Sequence, residues 1–305
     1  KRSVYVIANP AAGQEKPVLK TLNTIFSNAD MDWEILITKR SGDGQRLAEL
    51  SIEVGADIVA AFGGDGTVVD VARGLVGSQV PLGILPGGTA NMMSRAMGIS
   101  QDLEAAAQLI TSQPPHIHQA YLGQVGEVGF FQVVGIGTEA RINIEADRAA
   151  KDRLGTLAYF VAGLRAITAP QQAHYRLEFE NGRVVEDDGV TCLIAKVGNL
   201  GIPTLEKSPE TADPDSALMD IAIIRRVDLP TLVNLATTLT TGGINPETLP
   251  HWQAHRVAVH ADPPQAIQAD GEMVGETPVT VQIIPQPVNV IVPEETLIRK
   301  GKGSD

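Results

Sequence analysis

The chain has 305 residues, of which 43% are hydrophobic, so it can bury the cores of two domains. Its formal net charge of −12 argues against non-specific binding to nucleic acid or to an anionic bilayer. No apolar run approaches the roughly 18 residues of a membrane-spanning helix. The single cysteine, Cys192, excludes an internal disulfide framework, so we expect a reducing, cytoplasmic location.

The first 112 residues alternate short apolar runs with amphipathic stretches, which predicts a βαβαβαβα order. The predicted strands are 4–8, 34–38, 57–62 and 81–85, and the predicted helices are 17–27, 43–54, 67–76 and one that begins near Asn91. Continuous apolar strands in such an order predict a parallel sheet covered by helices on both faces. Ligands of such sheets bind at the carboxyl ends of the strands.

Beyond Pro114-Pro115 the pattern predicts a mainly antiparallel β domain, with a hairpin turn at Asn181-Gly182. The predicted strands are 120–125, 130–134, 175–180, 183–186, 191–197, 218–224, 254–260, 265–269, 279–284 and 288–292. The predicted helices are 139–151, 156–168 and 229–241.

Three of the predicted parallel strands end in loops rich in glycine or hydrogen-bonding groups. The loops are Asn9-Pro10-Ala11-Ala12-Gly13, Gly63-Gly64-Asp65-Gly66-Thr67 and Pro86-Gly87-Gly88-Thr89-Ala90-Asn91. Glycines allow the backbone to approach a polyanion, and the N-terminus of the following helix offers unpaired N–H groups to it. Because the three loops share one edge of the sheet, we interpret them as one nucleotide site.

Asp65 is the unusual residue of the second loop, because a carboxylate beside phosphates requires a cation or water between them. It therefore points to a metal-nucleotide complex. The alternative is a tight strand-to-helix turn in which Asp65 caps the helix. Thr67 and Asp70 have the spacing of a capping box, although Asp70 could equally belong to the metal shell. Thr89 or Asn91 could likewise be an N-cap.

Asp270-Gly271-Glu272 follows a predicted strand near the end of the chain. Asp-Gly is first of all a hairpin-turn sequence. Beside a metal-nucleotide loop, however, a carboxylate on a rigid turn is what a phosphotransferase needs to orient and deprotonate a hydroxyl.

Together these motifs resemble the diacylglycerol kinase catalytic-domain family of lipid kinases, which includes bacterial diacylglycerol kinases and sphingosine kinases. The resemblance also rests on Val134-Gly135-Ile136-Gly137 and on Asp215 to Leu218, so it covers nearly the whole chain. It implies an α/β amino-terminal nucleotide domain of the phosphofructokinase and NAD-kinase type and a carboxyl-terminal β-sandwich. The expected domains are residues 1–118 with about 290–305, and 119–289.

The resemblance implies an ATP- and Mg²⁺-dependent phosphorylation of a lipid hydroxyl. The nucleotide contacts would be Asn9 to Gly13, Thr38, Gly63 to Thr67, Thr89 and Asn91, with Asp65 linked to catalytic Mg²⁺ and Asp270 or Glu272 as the base. A second, structural Mg²⁺ would map onto Ala212, Asp215 and Ala217. We expect no nucleic-acid partner and a transient contact with the inner face of the membrane. The chain could also form a homodimer.

Some positions depart from the family pattern. Met92 stands where relatives usually carry aspartate, Val69-Asp70 replaces Asn-Glu, and Ser216 stands where glycine is common. The acceptor therefore stays open among diacylglycerol, a sphingoid base, phosphatidylglycerol and an isoprenoid-like alcohol. An NAD-kinase-like enzyme with a soluble acceptor, and a nucleotide or lipid sensor without turnover, are the alternatives.

Overall fold

The structure is a computed structural model that describes residues 1–12, 17–40, 42–88, 91–137, 171–196, 218–226, 250–270 and 272–296, with only the backbone of Met92. The chain divides into two compact units. The first comprises Lys1–Leu122 and Gln286–Asp305, and the second comprises Gly123–Pro285.

The first unit contains one six-stranded sheet with helices. Its elements are β1 (Ser3–Ala8), α1 (Val18–Asn28), β2 (Asp32–Ile37), α2 (Asp43–Glu53), β3 (Ile58–Gly63), α3 (Asp65–Leu75), β4 (Leu82–Pro86), α4 (Met92–Ala96), α5 (Leu103–Ile110), β5 (Ile117–Ala120) and the final strand β18 (Val288–Ile291). The strand order is β2-β1-β3-β4-β18-β5. All neighbouring pairs are parallel except β18 with β5.

The core of the first unit lies around β3, all of whose residues are buried. Helix α1 buries Leu22 and Phe26, which are one helical turn apart and so lie on one face. Helices α2 and α3 pack closely, because a Cβ at Gly74 would lie 2.5 Å from the backbone oxygen of Gln45. The glycine therefore allows α3 to lie directly against α2.

The second unit contains two antiparallel six-stranded sheets. Its strands are β6 (Gly123–Val125), β7 (Val128–Phe130), β8 (Val133–Gly137), β9 (Ala173–Phe179), β10 (Val184–Gly189), β11 (Thr191–Lys196), β12 (Met219–Ile224), β13 (His251–Ala254), β14 (Arg256–Asp262), β15 (Ala266–Ala269), β16 (Glu272–Glu276) and β17 (Val279–Ile283). One sheet has the order β10-β9-β14-β17-β6-β7 and the other β13-β12-β11-β8-β15-β16. In β9 buried and more exposed residues alternate, whereas β11 and β12 are wholly buried.

The predicted fold class is confirmed, while several predicted boundaries are wrong. Helix α3 begins at Asp65 rather than Thr67. The helix predicted from Asn91 ends at Ala96, and a second helix follows, capped by Asp102, whose carboxylate accepts a hydrogen bond from the amide of Ala105 at 3.0 Å. The strand predicted at 120–125 is interrupted between β5 and β6. The helices predicted at 139–151, 156–168 and 229–241 lie outside the described residues.

In the described part of the chain, no helix has the length and apolar character needed to cross a bilayer.

Candidate functional site

Asn9, at the end of β1, connects the first loop to helix α3. Its side-chain amide nitrogen donates a hydrogen bond to the Thr67 hydroxyl at 3.2 Å, and its side-chain oxygen accepts one from the amide of Ala11 at 2.9 Å. Its own backbone amide donates to the carbonyl of Phe62 at 3.0 Å. The Asn9–Ala12 loop and the Gly63–Thr67 loop therefore lie together at the carboxyl edge of the sheet, as predicted.

The first turn of α3 is open in the sense that it has no side-chain cap. Gly64 is the N-cap residue, and no side chain of the described residues caps the helix. The first amides of a helix have no partner within it, and the dipole there attracts anions. Thr67 lies inside the helix rather than at its cap, so the predicted capping box of Thr67 and Asp70 is wrong.

Glycines bring the second and third loops into backbone contact. The amides of Gly87 and Gly88 donate to the carbonyl of Gly63 at 2.9 and 3.1 Å. A Cβ at Gly88 would lie 2.5 Å from the Cα of Gly64, a distance that real Cβ atoms do not show. The loop after β4 can therefore approach the first turn of α3 only with glycine at position 88.

The half-buried carboxylate of Asp65 does not cap its own helix. Its Oδ1 accepts a hydrogen bond from the amide of Met93 at 3.1 Å, in the first turn of α4. No hydrogen bond to Oδ2 occurs among the described residues, which leaves one oxygen beside the open N-terminus of α3. This oxygen could bind a metal or a metal-bound water.

Asn91 has a structural role within the third loop. It adopts the left-handed conformation, with φ of 47°. Its side chain accepts a hydrogen bond from the amide of Gly88 at 3.0 Å and donates to the carbonyl of Gly88 and to Gln101 at 2.9 and 3.1 Å. Because both ends of its amide are engaged in this loop, its predicted contact with a nucleotide stays a prediction.

The loop after β2 is held by two carboxylates whose role the sequence analysis missed. Thr38 donates from its backbone amide to the carbonyl of Ala8 at 2.9 Å. Asp43 accepts hydrogen bonds from the amides of Lys39 and Arg40 at 2.9 and 3.2 Å. The bond from the Lys39 amide is the main cause that lowers the pKa of Asp43 below its ordinary value.

Asp70 completes that clamp, because its carboxylate accepts a hydrogen bond from the amide of Gly42 at 3.2 Å. Asp70 lies 28 positions from Gly42, so only the tertiary structure brings the two together. Among the described residues no cluster of three or more His, Cys, Asp or Glu side chains could hold a metal ion.

In the second unit, the Asp270 carboxylate is fixed by backbone amides at the start of β8 and just before it. Oδ2 accepts a hydrogen bond from Phe131, and Oδ1 accepts from Gln132 and Val133 at 3.0 and 2.9 Å. The amide of Asp270 donates to the carbonyl of Val133 at 2.9 Å. With φ of 45°, Asp270 has the left-handed conformation of a tight hairpin turn.

Glu272 follows this turn as the first residue of β16, an edge strand. It pairs with Ala269 across the hairpin and its side chain is exposed. No hydrogen bond to its carboxylate occurs in the part of the chain that the structure describes. The turn thus presents one anchored carboxylate and one accessible carboxylate.

Several predicted site residues lie outside the described residues. These are Gly13 and Thr89 of the nucleotide loops, and Ala212, Asp215 and Ala217 of the proposed second metal site. Pro10, Ala11 and Ala12 lie in the first loop, beside Asn9.

Two family comparisons cover most of the chain. Residues 3–125 match the diacylglycerol kinase catalytic domain, and residues 132–292 match the YegS C-terminal NAD kinase beta sandwich-like domain. The chain belongs to the diacylglycerol kinase family. This assignment confirms the resemblance inferred from the motifs. The loops at the carboxyl edge of the sheet all lie within the residues that match the catalytic domain.

Individual members of the diacylglycerol kinase family are similar over their full length. A diacylglycerol kinase of Bacillus subtilis is 26% identical over 297 residues, which cover 95% of this chain and 96% of the relative. A diacylglycerol kinase structure from Bacillus anthracis has a TM-score of 0.72 at 24% identity and covers 96% of this chain and 98% of its own. An NAD kinase structure from Archaeoglobus fulgidus in complex with ATP has a TM-score of 0.55 at 11% identity and covers 99% of this chain and 98% of its own. Both structures support the fold.

Proposed function

We propose that this chain is an ATP-dependent lipid kinase that transfers the γ-phosphoryl group to a hydroxyl of diacylglycerol or a related amphiphile. The observation that carries the proposal is the Asp270–Glu272 turn. A kinase needs a carboxylate that is oriented and yet accessible to receive the proton of the acceptor hydroxyl. Three backbone amides hold the turn at Asp270, while Glu272 two residues later is exposed.

The chemistry favours Glu272 over Asp270 as the base. Both oxygens of Asp270 already accept N–H hydrogen bonds, so a proton could reach them only if those bonds were weakened. Glu272 has no such competing donor among the described residues. Asp270 then orients the turn. Glu272 accepts the proton as the hydroxyl oxygen bonds to the γ-phosphorus, and the bond from that phosphorus to the bridging oxygen breaks, so that ADP leaves.

The nucleotide phosphates bind at the carboxyl edge of the parallel sheet. The open first turn of α3 would donate backbone amides to them, with Gly63 to Thr67 and Asn9 to Gly13 forming the walls. Thr38, Thr89 and Asn91 complete the proposed contacts. Backbone donors that are held in place before binding need no reorganisation during the transfer. Such preorganised donors therefore lower the barrier to phosphoryl transfer.

The donor set at Asp65 fits a hard divalent cation. One carboxylate oxygen is fixed by Met93 and the other has no described partner, which suits a Mg²⁺ that takes its remaining ligands from phosphates and water. Bound Mg²⁺ would supply positive charge to the phosphate oxygens. Ala212, Asp215 and Ala217 remain the proposed holders of a second ion.

We place the enzyme in the cytoplasm, in transient contact with the inner face of the membrane where its acceptor resides. A homodimer is compatible with this assignment.

The experiment is transfer of radiolabelled γ-phosphate from ATP, with Mg²⁺, into lipid extracts in mixed micelles. We expect a labelled lipid from the wild type and from Glu276→Gln, an exposed carboxylate at the other end of β16, but not from Glu272→Gln. Label in NAD instead of lipid would select the NAD-kinase-like alternative. ATP binding without transfer to any acceptor would select a nucleotide sensor.

A further inference from the structure

Gln132 carries a buried amide oxygen that has no hydrogen-bond partner among the described residues. The residue is 8% exposed, and its Oε1 is shielded from solvent. Its backbone groups are engaged, because its amide donates to Asp270 and its carbonyl accepts from the amide of Lys196 at 3.2 Å. A buried polar atom without a partner lowers stability, so its retention calls for a functional explanation.

The location of Gln132 distinguishes it from similar atoms elsewhere. Among the described residues, the buried side-chain atoms without a partner are Arg2 Nε, Ser112 Oγ, Gln132 Oε1 and Asp220 Oδ2. Arg2 and Ser112 are in contact with each other in the first unit, and the other oxygen of Asp220 accepts bonds from His251 and Gln253. Gln132 alone of these lies within one hydrogen bond of the turn that carries the proposed base.

A buried cation lies beside the same segment. Lys196 is 6% exposed, and its ammonium group is 4.9 Å from the ring centroid of Phe131, the residue before Gln132. The carboxylate of Asp270 lies on the same segment, because it accepts a hydrogen bond from the amide of Gln132. A hydroxyl of a lipid acceptor can donate a hydrogen bond to the Gln132 oxygen.

We propose that Gln132 accepts a hydrogen bond from a second hydroxyl of the acceptor, adjacent to the hydroxyl that is phosphorylated. The preferred acceptor is then an amphiphile with a free vicinal diol, in preference to diacylglycerol, which has a single hydroxyl. This inference rests on the proposed lipid-kinase function. A site built to bond a hydroxyl discriminates strongly against an analogue without it, because the buried oxygen is then left unpaired.

The test compares two acceptors that differ by one hydroxyl, 1-decanoylglycerol and the decanoyl monoester of propane-1,3-diol. For the wild type we expect kcat/KM to be about 10-fold or more higher with the glycerol ester. Gln132→Met keeps the side-chain length and removes the amide, so it should erase that preference. An unchanged preference in Gln132→Met would overturn the inference and leave the kinase assignment intact.

The melting temperature gives a readout independent of turnover. Gln132→Met should melt at the same or a higher temperature than the wild type, because a buried amide oxygen without a described partner is removed. Gln265→Met is the matched control, since Gln265 is also buried but donates to the carbonyl of Pro263 at 2.9 Å, and it should melt lower. A clear decrease for Gln132→Met would show a structural role and overturn the proposal. No labelled lipid from the wild type would overturn the proposed function, and this inference with it.

Discussion

The carboxylate of Asp65 accepts a hydrogen bond from the backbone amide of Met93 at 3.1 Å. The N-cap residue of α4, Asn91, makes no capping hydrogen bond in the described part of the chain, and Asp65 at the start of α3 accepts one from the first turn of α4 instead. The bond fixes the rotation of the Asp65 carboxylate and joins the second and third loops at a second point besides the Gly63 carbonyl. The site is therefore oriented by contacts between loops that are distant in sequence.

Asp65→Asn should reduce phosphoryl transfer by about 100-fold or more while the protein stays folded. Asparagine can keep the bond from Met93 through its oxygen, but it offers no charge to a cation. Asp57→Asn is the control, because Asp57 accepts bonds only from Ser3 at the opposite end of β3 among the described residues. Label transfer and circular dichroism would be measured for both, and full activity in Asp65→Asn would contradict the assigned role.

Asp270→Asn should lose activity and stability together. The side-chain NH₂ group of the asparagine would face a backbone N–H that in the wild type donates to a carboxylate oxygen. At least one hydrogen bond, worth about 1.5–3 kcal/mol, would therefore be lost. We expect a lower melting temperature and faster hydrogen exchange at the amides of residues 131–133. Glu272→Gln should lose activity with no decrease in melting temperature and no faster hydrogen exchange at these amides. If Asp270→Asn melted like the wild type, the anchoring role would be wrong.

Gly88→Ala and Gly64→Ala test the contact between the loops from its two sides. A Cβ at Gly88 would lie 2.5 Å from the Cα of Gly64, whereas a Cβ at Gly64 would lie an ordinary 3.5 Å from the Cα of Gly88. Gly88→Ala should therefore lower the free energy of unfolding by about 1–3 kcal/mol and weaken ATP binding. Urea unfolding and ATP titration would be used, and equal effects of the two substitutions would argue against this geometry.

The Asp43 clamp should make stability depend on pH. Because hydrogen bonds, first that from the Lys39 amide, lower the pKa of Asp43 in the folded state, its stabilisation is present above the unfolded pKa. It is lost as the pH falls through the lowered pKa. The melting temperature of wild type should exceed that of Asp43→Asn at pH 7, and the difference should shrink toward about pH 3. A constant difference across this range would contradict the prediction.

The alternation of apolar and amphipathic segments was sufficient to predict the fold class and the edge of the sheet where the loops meet. It placed the start of α3 two residues late, since Gly64-Asp65-Gly66 has the composition of a loop. In the structure Gly66 is helical, because the packing of α3 against α2 outweighs its low helix propensity.

The partners of the carboxylates could not be predicted in the same way. Asp43 contacts its own loop, but Asp70 reaches Gly42 over 28 positions and Asp270 reaches Phe131 over 139. Local spacing suggested a cap for Asp70 and a turn or a base for Asp270. Only the tertiary fold shows that Asp270 holds the turn, which leaves Glu272 as the accessible carboxylate.

The position of β18 has a consequence for how the first unit is made. This strand lies between β4 and β5, yet it comes from residues 288–291, after the whole second unit. While the chain emerges from the ribosome, β4 has an open edge and β5 has no neighbour until the last strand is synthesised. The nucleotide unit therefore completes its sheet last, after the second unit has had time to fold, and a nascent chain stopped before residue 288 would expose that edge to aggregation.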